Sequence, residues 1–312
     1  MRIFENPTFD FLSNFRSSYI ISGILLLVSI VSLFYPGLEA GIDFTGGTEF
    51  VVESAEPIAP VAARQALDGV LGDGVEAKVF GDPRTLLIRT GVGGDPDALE
   101  TSLTSTLAAS FPGSAPQIIG TSSVGPRIAS DLKEKSIFLV LGALFVILLY
   151  IFVRFDWRFA LGAVLCLAHD IVIVLGLFAL LHNVTPFSLQ IDQVMIAALL
   201  TIVGYSINDT VVVYDRIREY TTLFKTERFD VVANRAINTT LSRTVLTSGT
   251  TLLTVFVLFL IGGEVLKGFS LALLVGIGVG TYSSIFVASP LVVWLRAKYA
   301  PAVRGTRRAA AA

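Results

Sequence analysis

The chain has 312 residues, 53% of them hydrophobic and only 15% charged, with a mean hydropathy of +0.74; it is too apolar for an ordinary soluble domain and belongs in a bilayer. A net charge of -2 offers no basic face to release counterions from a duplex, which excludes nucleic acid as a partner. The lone Cys166 permits no intrachain disulfide, two histidines without a cysteine cluster speak against a transition-metal site, and no lysine follows directly on a glycine, so the phosphate-cradling loop of an ATP-driven machine is missing.

Apolar runs near the ~20 residues that cross a ~30 Å hydrocarbon core predict six spans. They cover Tyr19 to Tyr35, Ile137 to Val153, Phe159 to Leu181, Val194 to Tyr214, Thr244 to Ile261 and Phe269 to Leu295. The first is longer than the apolar core of a secretory signal, about 7 to 15 residues, and no Ala-x-Ala cleavage site follows it, so it reads as a retained helix.

Between the first and second spans lies a segment long enough for a small domain. Gly47 to Ser54 alternates like a strand, Pro57 to Leu71 has helical spacing, and Val75 to Phe80 and Leu86 to Thr90 read as strands joined by a Gly81-Asp82-Pro83 turn. Pro96 to Ser110 suits a helix entered from Asp95, and Gln117 to Val124 a last strand. The order β-α-β-β-α-β predicts a ferredoxin-like α+β domain. Arg127 to Lys135 reads as an amphipathic lead-in to the second span. The domain plan is therefore residues 1–36, an N-terminus and first span; 37–136, the α+β domain; 137–296, spans two to six; and 297–312, a tail.

Cations beside the spans set the orientation. One set of faces holds Arg2 and Arg16, Arg154 and Arg158, the positive residues between Arg216 and Arg243, and those between Arg296 and Arg308, whereas the opposite short loops hold only Lys267. Both termini are expected in the cytoplasm and the α+β domain outside.

The fourth span carries an acid, Asp209, where a carboxylate costs several kcal/mol unless it is protonated, paired or wetted. Tyr205 and Ser206 share its helical face and Asn208 adjoins it. The fifth span starts from the same side with Arg243, followed by the hydroxyl stripe Thr247, Thr250, Thr251 and Thr254. A guanidinium nearby favours a charged carboxylate and burial a neutral one, so protonation would respond to small movements. Moving one charge through 100 mV releases about 2.3 kcal/mol, enough to shift a two-state packing several-fold. Membrane helices also use hydroxyls and ion pairs as glue, which is the plainer account of the threonines and an equal rival for Asp170 beside His169 in the third span. Gly276, Gly280 and Ser284 repeat every four positions, a close-packing pattern.

Several strings in order carry a resemblance: Gly41-Ile-Asp-Phe-Thr-Gly-Gly47, Val124-Gly-Pro126, Arg154-Phe-Asp-Trp157, Asn208-Asp-Thr210 with Asp215-Arg-Ile-Arg-Glu219, and Asn238-Thr-Thr-Leu-Ser-Arg-Thr244 with Thr247-Ser248. Together they make the chain similar to the bacterial SecD/SecF family of protein-export membrane proteins, within the resistance-nodulation-division superfamily. The resemblance runs over nearly the whole chain outside the Ala-rich tail. It implies a multi-pass protein of the bacterial cytoplasmic membrane, partnered by SecD, the SecYEG channel and YajC, that uses proton flow to pull a translocating preprotein outward. Its implied proton-coupling residues are Asp209 and Arg243, with Tyr205, Ser206, Asn208, Thr247, Thr251 and Asp170 as a supporting polar path. Gly41, Asp43, Gly46 and Gly47 are the implied hinge between the helices and the outside domain; by residue type alone, the two glycines supply a turn that opens a strand. The family often shows Gly-Glu-Leu after Val124-Gly-Pro126, where this chain has Ala129, Ser130, Asp131 and Leu132. No covalent chemistry, cofactor or metal is expected beyond the proton gradient, and membrane lipid is the remaining partner. Two rivals stay open: a proton-coupled small-molecule exporter of the same superfamily, which would need larger outside domains with a substrate pocket, and a purely structural translocon subunit.

Overall fold

The computed structural model describes residues 7–13, 15–72, 75–91 and 95–299. Arg2, Arg304, Arg307 and Arg308, used above for orientation, lie outside the described residues, as does the tail beyond residue 299. Among the described residues six helical stretches are long and apolar enough to span a bilayer, and each expected span falls within one of them except at Tyr35, one residue past the end of the first. They are α1 (Phe15–Phe34), α5 (Pro126–Arg154), α6 (Trp157–Leu181), α7 (Gln193–Leu223), α8 (Phe229–Ile261), and a last stretch made of α9 (Glu264–Ser283), a π turn (Ser284–Ala288) and α10 (Ser289–Lys298).

The packing is that of helices whose solvent is lipid. In α1 the buried residues are Ser18, Ser22, Ser29 and Ser32, while Ile20, Leu27 and Val31 face outward. With no hydrophobic drive between helices in lipid, small and hydrogen-bonding residues make the contact. Ser29 seats on Gly176 of α6, where any β-carbon would collide with its backbone and side chain, and Ser32 Oγ donates to the Gly176 carbonyl at 2.7 Å. Gly276 and Gly280 do the same between α9 and α7: a β-carbon at Gly276 would meet the Ile202 side chain at 2.5 Å and one at Gly280 the Ser206 Cβ at 3.1 Å. The close-packing pattern expected from those glycines is what the fold uses.

Reading the sixth span as one helix misses its π turn. Pro290 has no N–H to continue the ladder, and the loosened carbonyls find other donors. Tyr19 Oη donates to Val287 O at 3.3 Å, Tyr214 Oη to Ala288 O at 3.2 Å, and Ser289 Oγ to Ser284 O at 2.8 Å. The α5 helix, by contrast, runs unbroken through Ala129–Leu132, where the family string departs.

Between α1 and α5 the chain forms α2 (Ile42–Thr45), β1 (Gly47–Glu53), α3 (Pro60–Leu67), β2 (Glu76–Phe80), β3 (Asp82–Thr90), α4 (Pro96–Ser110) and β4 (Gln117–Val124). The sheet order is β2-β3-β1-β4, with every neighbouring pair antiparallel. Alternation along β1 and β3 turns Phe50, Val52, Leu86 and Ile88 toward Ala63 and Leu67 of α3 and Leu103 and Leu107 of α4, closing one small core. Asp95 caps α4 as expected, accepting from Asp97 N. Two details correct the reading of this segment. The turn is tighter than Gly81-Asp82-Pro83: Gly81, at φ +77°, makes the reversal, and Asp82 and Pro83 already belong to β3. The glycine string also holds the one-turn helix α2, too short to show as periodicity.

Candidate functional site: two buried carboxylates and a tether

Asp209 lies on the inner face of α7, 4% exposed. Ser248 Oγ of α8 donates to its Oδ2 at 3.0 Å, and Thr281 Oγ1 of α9 lies 3.2 Å from the same oxygen and 2.8 Å from Ser248 Oγ. Three helices therefore meet at one carboxylate through hydroxyls. Among the described residues no ion pair joins Asp209 to Arg243. Arg243 is exposed and lines a cavity of about 360 Å³ with Val212, Asp215, Arg216, Glu219, Thr239 and Thr240, along the stretch of α7 that follows Asp209.

The hydroxyl stripe is one helical position off. Thr247 is exposed, and Thr250, Thr251 and Thr254 each donate to a carbonyl of their own helix. Counting hydroxyls selects the richest face, but the buried face of α8 runs through Thr244, Ser248 and Val255. Sequence reasoning assigns no role to Ser248 of the Thr247-Ser248 string and misses Thr281, because nothing local marks either. Tyr205 and Thr251 are brought together, with Oη and Oγ1 2.7 Å apart, whereas Asn208 points outward.

Ser206 shares Asp209's helix but serves the second acid. It donates to Oδ2 of Asp170 at 2.5 Å, Ser283 of α9 donates to the same atom at 2.9 Å, and His169 Nδ1 lies 2.8 Å from Oδ1. Asp170 is fully buried, and Cys166 Sγ, 3.1 Å from Ser283 Oγ, closes the group. Sequence offered no partner for Asp170 because all but His169 come from distant helices.

A third polar assembly joins the sheet domain to α7. The strand-like pairing Ile191 N to Glu39 O (2.8 Å) and Gly41 N to Ile191 O (2.9 Å) lays the segment after α1 along the loop before α7. Asp43 Oδ2 then accepts from Gln193 N at 3.0 Å, and Asp192 caps the helix through Met195 N at 2.6 Å. Two acids thus satisfy orphan amides at the α7 N-terminus, where the helix dipole favours negative charge. Gly41 is tightly packed here, its β-carbon position lying 3.1 Å from Asp192 Cβ. Gly47, at φ +123°, lies where a β-carbon would meet Thr90 O at 2.5 Å, and Gly46 is at φ +74°. The expected hinge residues are thus two backbone-driven glycines, one contact glycine and a helix cap.

On the domain side Arg89 of β3 is the hub. It bonds Ala40 O, Gln190 and Glu49, and lies 3.5 Å from Glu39 and 3.4 Å from Glu76. Glu39 also pairs with Lys78 and accepts from Gln190 Nε2 at 2.6 Å. Burial alone would raise the Glu39 carboxyl, yet the Lys78 hydrogen bond and charge, with Gln190 and Arg89, hold it below the ordinary glutamate value. Burial pushes Asp192 up, the Met195 amide opposes this, and the Asp43 charge adds to it. A carboxyl depressed on folding stabilises the fold fully above its unfolded value and loses that contribution as pH falls through the folded one. The Glu39 clamp should accordingly loosen on acidification. Glu39→Gln is expected to cost about 1 to 2 kcal/mol at neutral pH and to remove this acid-dependent component. Hydrogen exchange at the Gly41 and Ile191 amides, corrected for intrinsic rates, measures both.

The remaining strings also acquire contacts. Arg154 Nη2 donates to Asp215 Oδ1 at 2.7 Å and Arg218 Nη1 to the Arg154 carbonyl at 3.0 Å. Asn238 and Asn234 pin the N-terminal segment to α8, Asn238 accepting from Phe9 N at 2.9 Å and donating to Phe9 O at 2.8 Å.

Six lipid-length helices with ionisable groups enclosed between them, and a small sheet domain clamped to one, define a multi-pass membrane transport protein. Residues 103–298 match the family model described as protein export membrane protein SecD/SecF, C-terminal, and the chain belongs to that family. It is 56% identical over 300 residues to the protein translocase subunit SecF of Rhodothermus marinus, covering 96% of this chain and 97% of that one. It is 40% identical to the protein translocase subunit SecDF of Thermus thermophilus, covering 92% of this chain and 38% of that one. The crystal structure of SecDF, a translocon-associated membrane protein from Thermus thermophilus, superposes with a TM-score of 0.82 at 37% identity, over 94% of this chain and 39% of that chain.

Proposed function

We propose that this chain is the SecF-type subunit of a Sec protein translocase auxiliary complex, with both termini in the cytoplasm, and that it couples proton movement across the bacterial cytoplasmic membrane to outward movement of preproteins without covalent chemistry or a cofactor. The similar SecDF chain carries a further stretch beside the part matched here, which supports SecD as the partner; SecYEG and YajC complete the assembly. The sheet domain, read as ferredoxin-like and extracytoplasmic, is the part that acts on the preprotein, and the Glu39–Asp43 segment passes motion between it and α7.

The observation that carries this reading is Asp209, an enclosed acid held by the hydroxyls of Ser248 and Thr281 with no cation bonded to it among the described residues. Hydroxyls serve either protonation state, since they donate to a carboxylate and accept from an acid. Proton uptake there changes how α7, α8 and α9 fit. The cavity lined by Asp215, Glu219 and Arg243 is the route by which water reaches it from the cytoplasmic side, with Arg243 exchanging partners as the site discharges. The test is export into inverted membrane vesicles carrying the complex, with and without a proton gradient. Asp209→Asn is expected to abolish the gradient-dependent part and leave the ATP-driven part; unchanged gradient dependence would overturn the assignment.

A further inference from the structure

We infer that Asp170 and His169 form a second proton-binding site whose occupancy is linked to that of Asp209; this rests on the reading of Asp209 just given. Charge balance comes first. Asp170 is fully buried, and among the described residues its ion-pair partner is His169 alone. Its other neighbours, Ser206, Ser283 and the more distant Cys166, are neutral donors. Between the ends of the surrounding helices the other titratable groups are Tyr19 on α1, Cys166 on α6, Tyr205, Asp209 and Tyr214 on α7, and Tyr282 on α9. Tyr19 and Tyr214 are engaged with Val287 O and Ala288 O, and Tyr282 on α9 with Ser18 O. Arg243 on α8 is exposed. Among the described residues no lysine or arginine forms an ion pair with Asp170.

A carboxylate beside a neutral imidazole therefore leaves one uncompensated negative charge in the interior, at a cost of several kcal/mol. One further proton makes the pair neutral overall, either as acid with imidazole or as carboxylate with imidazolium. The imidazole has a free atom for that exchange: Nδ1 is taken by Asp170, and Nε2 is buried without a hydrogen-bond partner.

The link to Asp209 runs through one turn of α9 and one of α7. Thr281 serves Asp209 and Ser283 serves Asp170, on either side of Tyr282; Ser206, which serves Asp170, lies three residues before Asp209. Each α9 hydroxyl also has a backbone alternative within its own helix, Ile277 O at 2.8 Å for Thr281 and Gly280 O at 3.1 Å for Ser283. With one proton each, they release the carboxylate when it is protonated and turn to the helix carbonyl. A change at one acid thereby alters the turn that solvates the other. Only protons move, and no bond between heavier atoms is made or broken.

The chain has two histidines, His169 and His182, so ¹⁵N-histidine labelling of the full chain in lipid nanodiscs gives two assignable imidazoles. At a fixed pH the ring-nitrogen shifts of His169, which report the protonation of its imidazole, are expected to change in Asp170→Asn and in Asp209→Asn, while those of His182 stay constant. If Asp170→Asn does not fold, the protonated-carboxyl infrared bands of wild type and His169→Gln supply the same comparison. His169 shifts indifferent to Asp170→Asn or to Asp209→Asn overturn the second site. Loss of gradient-driven export in Asp209→Asn with an unresponsive His169 overturns this inference alone, whereas a responsive His169 with export retained overturns the role given to Asp209.

Discussion

Arg89→Met should release the sheet domain from the membrane helices while leaving each part folded. The guanidinium gathers Glu39, Glu49 and Glu76 from three chain segments, together with the Ala40 carbonyl and Gln190. Removing it leaves three carboxylates around a single cation, Lys78, in a cleft where Arg89 and Glu39 are both largely buried. Breaking a buried pair by deleting one partner costs about 3 to 5 kcal/mol, and the partial exposure of Glu76 places the expected loss near the lower end, about 3 kcal/mol. That is roughly a hundredfold rise in the detached population. Hydrogen exchange should show it as faster Gly41 and Ile191 amides with unchanged β1 and β3, and Arg89→Lys should restore only part, because one ammonium cannot span partners that a planar fork reaches together. In the proposed mechanism the same variant keeps proton binding at Asp209 and loses gradient-driven export.

Gly176→Val is expected to have the largest effect on assembly of the helices. Its β-carbon would fall on the Ser29 backbone as well as its side chain, so no rotamer change relieves the clash. The α1 helix must move away, breaking the Ser32 bond to the Gly176 carbonyl and exposing the four serines it buries to lipid. Overpacking of this kind costs about 3 kcal/mol or more where backbone is involved. Loss of heat resistance in detergent, read beside crosslinking of α1 to α6, measures it. Gly142→Ala on α5 is the control: nothing lies within 4 Å of the position a β-carbon would take, and alanine gains about 1 kcal/mol of helix propensity over glycine.

The two variants also mark where sequence ran out. That a span covers Tyr19 to Tyr35 was legible from apolar length alone, but its inward face was not, because in lipid the buried side is the polar, small one and hydropathy ranks it last. The sheet domain was easier. Strand alternation and helical spacing placed its six elements within a few residues, and the errors fell at Gly81 and in α2, where single backbone angles rather than patterns decide. Asp209 could be singled out from the cost of an acid in a span. Its partners could not: Ser248 was given no role and Thr281 lies 72 residues away, while Arg243, the partner that charge alone suggests, makes no ion pair with it.

What the amino-acid sequence by itself determined is the class of solvent each segment needs, the order of elements and the acids that need an explanation, because these follow from local composition, periodicity and transfer cost. Tertiary structure alone decided which groups answer those acids, that Asp170 is joined to His169, Ser206 and Ser283, and that Asp43 caps the helix carrying Asp209. Such contacts join residues far apart in the chain, and their geometry is set by how closely glycines and serines let neighbouring helices approach, a property of pairs of surfaces that no single segment carries.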